Sequence, residues 1–318
     1  MQLLLAFAFM ILLAANAAAE DRYAIILSGA SGGAKYAEQM RDWRASLVSA
    51  LVDRYGFPAE KVKTLVDETV KTGEQGTAEN VRKIMAEMRK QLTRDDLLLV
   101  ILLGHGTFDG DIAKFNLVGP DLSAADWSTM LNGIASRLVV VNTTEASFPF
   151  LEKLSGANRV VITATDSAAQ KYATVFPEDF VKAMREASSD LDKNGRTSIF
   201  EVFSAASAAV KQYYEQKGQL TTERALLDDN GDGVGREAEA PGPDGSLARL
   251  VYLDAELPAA ANNPELAALL KRRRELEAEA EALKLKKGIM PAPAWEAEFE
   301  KLMIELAKVA RDIKAKSE

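Results

Sequence analysis

Short, almost wholly apolar runs alternate along this chain with longer stretches in which apolar positions recur every three or four residues. The short runs predict strands at Tyr23–Leu27, Lys63–Val66, Leu97–Leu103, Leu138–Val141, Val160–Thr163 and Arg249–Leu253. The longer stretches predict helices at Lys35–Tyr55, Thr77–Leu92, Ser123–Leu131, Pro177–Ala187 and Ser198–Gln216. Several strand candidates are continuous Val, Ile and Leu, the composition of strands covered by helices on both faces. The pattern therefore predicts an α/β domain with a mostly parallel sheet sandwiched by helices. Phe108-Asp109-Gly110 followed by Phe115-Asn116-Leu117 predicts a small hairpin with the Asp-Gly pair as its turn.

The pattern changes at Leu257-Pro258-Ala259. From Pro264 to Lys287 the chain is rich in Glu, Ala, Leu and Lys, with apolar positions at Leu266, Leu269, Leu276, Ala280 and Leu283. After Gly288, Pro291 and Pro293, a second amphipathic stretch carries Trp295, Phe299, Leu302, Leu306, Val309 and Ile313 in alternating four- and three-residue steps. Residues 259–318 thus read as an antiparallel, coiled-coil-like helical hairpin following a main domain at 20–258. Its seam either packs on the main domain or forms an arm for self-association.

Residues Leu3 to Ala15 form an apolar run of signal-peptide length, followed by the small residues Asn16-Ala17-Ala18-Ala19. This predicts a signal segment at 1–19, cleaved at Ala17 or Ala19, and export to a periplasm or the cell exterior. No transmembrane anchor is expected after cleavage, since the run is short for a bilayer span. Only the α-amino group supplies positive charge before the run; the competing reading is a misassigned start or a buried strand. The net charge of -8 argues against a nucleic-acid partner. The absence of cysteine rules out a disulfide framework.

The only histidine, His105, follows the Leu97–Leu103 run in Leu103-Gly104-His105-Gly106. The next strand candidate continues as Leu138-Val139-Val140-Val141-Asn142-Thr143-Thr144-Glu145-Ala146-Ser147, and the one after as Val161-Ile162-Thr163-Ala164-Thr165. In order and strand context these motifs resemble the legumain family of caspase-type cysteine peptidases, over roughly Tyr23 to Leu253. The resemblance implies a caspase-like fold with His105 as general base and the Gly106 N–H helping to hold an oxyanion. It places the nucleophile position at Thr144, or at Ser147 if Glu145-Ala146-Ser147 is matched to the family's Glu-Ala-Cys. The loop Gly29-Ala30-Ser31-Gly32-Gly33 departs from the family: Ser31 stands where an Asn often supports the histidine.

A thiol is intrinsically nucleophilic, whereas a hydroxyl needs a base that is itself well oriented. No carboxylate is placed by sequence to orient His105, although Asp109 and Asp111 are nearby. The chain is therefore expected to be a catalytically inactive homologue that binds a peptide or protein. The alternatives are an active peptidase using Thr144 or Ser147 with His105, and an unrelated serine hydrolase. For the latter, Gly29-Ala30-Ser31-Gly32-Gly33 fits the nucleophile-elbow pattern, with Ser31 as nucleophile.

Two acidic loops match the EF-hand pattern. In the first, at 190–201, Asp190, Asp192 and Asn194 would give side-chain oxygens and Arg196 its carbonyl. Ser198 would act through water and Glu201 would close the shell, with Gly195 at the bend. In the second, at 228–239, the ligands would be Asp228, Asn230, Asp232, the Val234 carbonyl and Glu239, although Pro241-Gly242-Pro243 forbids a long exiting helix. Ca2+ is the expected ion, ordering an acidic segment on the substrate side of the fold.

Overall fold

The computed structural model describes residues 21–67, 75–170, 172–255 and 263–317. The expected signal segment at 1–19 and the composition break at Leu257-Pro258-Ala259 lie outside them. The central sheet is built from β1 (Arg22–Ser28), β2 (Val62–Leu65), β3 (Leu97–Leu103), β7 (Arg137–Asn142), β8 (Arg159–Thr163) and β9 (Leu226–Asp228). A small antiparallel sheet comprises β4 (Gly106–Phe108), β5 (Ala113–Phe115) and β6 (Leu122–Ser123). The large sheet runs β2-β1-β3-β7-β8-β9, parallel throughout except at the β8–β9 edge.

Period-two alternation divides the strand residues between two cores. Ala24, Ile26, Leu99, Ile101, Val139, Val141 and Ile162 face α1 (Ala34–Ser49), α5 (Phe176–Arg185) and α6 (Ile199–Gln216). Ile25, Leu27, Leu98, Val100, Leu102, Val140 and Val161 face α2 (Ala78–Gln91), α3 (Ala124–Leu131) and α4 (Phe148–Leu154). Both faces are covered, which is why these strands read as unbroken apolar runs. Helix starts follow local chemistry: the Thr77 side chain accepts from Asn80 N, and capping boxes form at Ser123/Asp126 and Ser198/Glu201.

Five of the six expected strands are present, and Arg249–Leu253 is the exception. Its first residues belong to α7 (Ser246–Leu250), and Tyr252 makes only an isolated bridge with Ser198. The buried Asp229 carboxylate accepts from Gly245 N and Ala248 N, satisfying donors at the start of that helix. Val251 and Leu253 exchange backbone bonds with the segment around Thr197–Ile199 instead. The sixth strand is β9, inside the segment expected as a calcium loop. The hairpin after His105 exists, but β5 starts at Ala113. The connection spans Asp109 to Ile112, with Asp109 Oδ1 accepting from Asp111 N and Ile112 N.

The C-terminal helices are α8 (Pro264–Lys284) and α9 (Ala292–Ser317). They are antiparallel: Glu265 meets Lys316, Arg272 meets Glu305, and Trp295 Nε1 donates to Leu283 O. Leu266, Leu270 and Ile313 form a small core with Leu269 and Val309, so these seam residues are used within the hairpin. Arg196 ties the hairpin to the main domain through Glu277 at 2.5 Å, its guanidinium stacked on Tyr252. Among the described residues, no helix is long and apolar enough to cross a membrane.

Candidate functional site

The parallel pairing of β3 with β7 aligns Leu102 with Asn142, and Thr143 N continues the ladder to Leu102 O at 3.2 Å. The two chains therefore leave the sheet side by side, one toward His105-Gly106 and the other toward Thr144-Glu145. Contact is close. A Cβ on Gly106 would lie 2.7 Å from Thr144 Oγ1 and 2.9 Å from the Ala146 Cβ, so only glycine fits.

Thr144 is fully buried and its Oγ1 has no hydrogen-bond partner. Its backbone N–H donates to Asn142 Oδ1 at 3.1 Å, which shapes the turn. His105 does not engage this hydroxyl. Its Nδ1 lies 3.3 Å from Glu145 Oε1, and Gly106 N donates to Glu145 Oε2, also at 3.3 Å. One carboxylate thus meets both groups that the resemblance assigns to catalysis. The Glu145 hydrogen bond raises the His105 pKa above its ordinary value; burial opposes this, and a backbone hydrogen bond at Ser31 adds to it. The Tyr36 ring meets the imidazole edge-on with centroids 4.7 Å apart.

Ser147 is not free to act as a nucleophile. Its Oγ accepts from Ala164 N and Thr165 N at 3.1 and 3.2 Å and lies 3.0 Å from Thr165 Oγ1. It pins the turn after β7 to the loop after β8. The contribution of Ser31 to the histidine comes from its backbone. The carboxylate beside His105 is Glu145, whereas Asp109 is spent inside its own hairpin turn. Glu145 was visible only as part of the Glu-Ala-Ser match. The sequence signal that could have singled it out is an acid one residue past the nucleophile position.

The first acidic loop draws its oxygens together. Ligand atoms of Asp190, Asp192 and Glu201 lie within 4.8 Å of one another, and Gly195 takes φ +83° at the bend. Asp190 accepts from Asn194 N and Gly195 N, and the Asn194 side chain accepts from Arg196 N. Glu201 reaches back to Leu191 N and Asp192 N with Oε1 and to Ser198 N with Oε2. Burial pushes the Asp192 pKa up, with Glu201 and Asp190 adding to it. Ser198 is engaged as the cap of α6.

The second loop is built differently. Asp228 ends β9 and accepts from Gly231 N and Gly233 N, while Asn230 and Asp232 accept from Asp232 N and Val234 N. The Val234 carbonyl accepts from Arg236, and exposed Glu239 pairs with Lys211 at 2.8 Å. The expected closing ligand is thus turned away from the loop. The missing exiting helix, forbidden by Pro241, leaves nothing to carry Glu239 back.

No family model matches the chain. Metacaspase-4 of Arabidopsis thaliana is 36% identical over 61 residues, 19% of this chain and 14% of that protein. Among solved structures, caspase-1 from Spodoptera frugiperda gives a TM-score of 0.47 at 10% identity, over 66% of this chain and 88% of that one. A Geobacter sulfurreducens protein solved by structural genomics gives 0.46 at 13% identity, over 74% of this chain and all of that one.

Proposed function

We propose that this chain is an exported, caspase-related α/β protein of the legumain type that binds a peptide or protein at the β3–β7 strand ends without hydrolysing it. Support for the lineage comes from the mostly parallel strand order, the His-Gly at the end of β3, and the local similarity to metacaspase-4. One observation carries the loss of hydrolysis. The Thr144 hydroxyl is buried without a partner while His105 Nδ1 and Gly106 N–H both meet Glu145. A general base must reach the proton it removes, and a hydroxyl nucleophile gains nothing from a base held elsewhere.

Export rests on the Leu3–Ala15 run. Calcium at the first loop rests on the EF-hand pattern and on the gathered oxygens of Asp190, Asp192 and Glu201. Self-association through the C-terminal helices completes the reading. The test of the central claim is exposure of the full chain to a fluorophosphonate probe, with peptide mapping and an assay on a mixed peptide library. No adduct and no cleavage are expected. An adduct on Thr144 or Ser147 would restore the peptidase reading, and one on Ser31 the serine-hydrolase reading.

A further inference from the structure

The groups meeting at Glu145 differ in how firmly they are held. Gly106 pairs with Phe115 across β4–β5, its Cα lies against Thr144, and the His105 carbonyl accepts from Asn116 N at 3.0 Å. The two donors therefore sit on backbone fixed from both sides. Glu145 reaches them through a flexible side chain, at 3.3 Å to each, long against the ~2.7–2.9 Å of well-seated charge-assisted bonds. The pair also reaches solvent, with side-chain exposures of 19% for His105 and 13% for Glu145.

Beside His105 opens a cavity of about 240 Å3, walled by Tyr36, Trp43, Val175 and Tyr213, with Lys35 and Glu178 as charged lining residues. We infer that this cavity takes a carboxylate-bearing peptide, whose carboxylate displaces Glu145 from Gly106 N–H and His105 while an adjoining apolar side chain rests on the aromatic wall. The inference rests on the peptide-binding reading and names its ligand class. Glu145 already demonstrates the chemistry: a fixed backbone donor and an imidazole favouring its protonated form hold a carboxylate. Lys35 adds attraction, and Glu178 disfavours an anion placed deeper toward it. A ligand carboxylate, free to adjust its approach, can close on both donors more tightly than a tethered side chain.

Because His105 is the only histidine, its ring resonances report this site without interference. The full chain, labelled with 15N-histidine, is titrated with N-acetylphenylalanine, with its neutral amide, and with N-acetylaspartate amide. In Glu145→Ala the free-carboxylate probes shift the imidazole resonances saturably, about tenfold more tightly than in the parent, because the internal competitor is gone. The neutral amide leaves them in place. A response to N-acetylphenylalanine alone assigns a chain terminus, and a response to N-acetylaspartate amide alone an acidic side chain. Glu145→Gln, which keeps the side-chain volume, repeats the measurement should the alanine variant misfold. Resonances that ignore both carboxylates, or follow the amide equally, overturn the inference. The fluorophosphonate result is independent: an adduct together with these shifts removes the non-hydrolytic reading and keeps the carboxylate site.

Discussion

At the scale of single residues, the strand-end site is defined by what its atoms lack as much as by what they touch. The Thr144 hydroxyl is sealed from water and left without a partner, a burial that costs about 1–3 kcal/mol. Thr144→Val keeps the shape and removes the orphaned oxygen. It is expected to raise the chemical-denaturation stability by roughly 1 kcal/mol, whereas Gly106→Ala lowers it by about 1–3 kcal/mol. The second effect follows from geometry: the new methyl would lie 2.7 Å from Thr144 Oγ1 and 3.1 Å from Lys114 O, and the latter is backbone that cannot step aside. A loss of stability in Thr144→Val would mean that the hydroxyl has a bonded role, and would count against the separation of His105 from the nucleophile position.

At the scale of elements, the first acidic loop and α6 form one unit, because Glu201 caps the helix while closing the loop. Calcium added to chelator-treated protein is expected to raise the unfolding midpoint, by an amount equivalent to about 2.7 kcal/mol at a hundred-fold excess over Kd. Glu201→Gln, compared with its own metal-free midpoint, should lose that rise, and Glu239→Gln should keep it, since Glu239 is turned to Lys211. A wild-type midpoint indifferent to millimolar calcium would end the calcium reading. The same elements show what was legible in the chain beforehand. β3, β7 and β8 announced themselves because helices cover both their faces, leaving uninterrupted Val, Ile and Leu. β9 was hidden because Leu226–Asp228 is too short to show a period and ends in an aspartate shared with a loop. Arg249–Leu253 has strand composition, yet Asp229 bonds to the start of α7 from across the fold, a contact no local pattern carries. The placement of His105 and Thr144 at neighbouring strand ends was readable from order alone. The turn of Glu145 onto Gly106 was not, because it depends on the β3–β7 register, and Asp109 stood nearer in the chain.

For the whole molecule, the buried acids and the lone histidine pull stability in one direction along the pH axis. Burial holds Glu223 up at about 7 and Asp179 and Asp244 at about 6, against ordinary values near 4. Each keeps in the folded state a proton that the unfolded chain releases, so its contribution is complete below the unfolded value and is lost as pH rises through the folded one. His105, raised chiefly by Glu145, has the same sign: its contribution is full below about 6.5 and fades as pH climbs through its higher folded value. Its surroundings carry Glu145, Lys35, Glu178 and Tyr36, so Glu145 sets the direction while Lys35 opposes it. The net charge of -8 adds mutual repulsion on the alkaline side. The unfolding midpoint is therefore expected to be higher at pH 5 than at pH 8, declining through the neutral range where many proteins are flat. Glu223 contributes most because it is fully buried, with Oε1 taking the Val175 N–H at 2.8 Å and Oε2 unpartnered. Its share is of order 2–3 kcal/mol across roughly pH 4.5 to 7. Glu223→Gln cannot titrate and should flatten that part of the profile, while Glu145→Gln flattens the part above 6.5. Midpoints measured at half-unit intervals for the three proteins separate the two contributions. A parent profile that rises from pH 5 to pH 8 would show that these acids are ionised within the fold, paired with cations that the packing around Val175 does not supply.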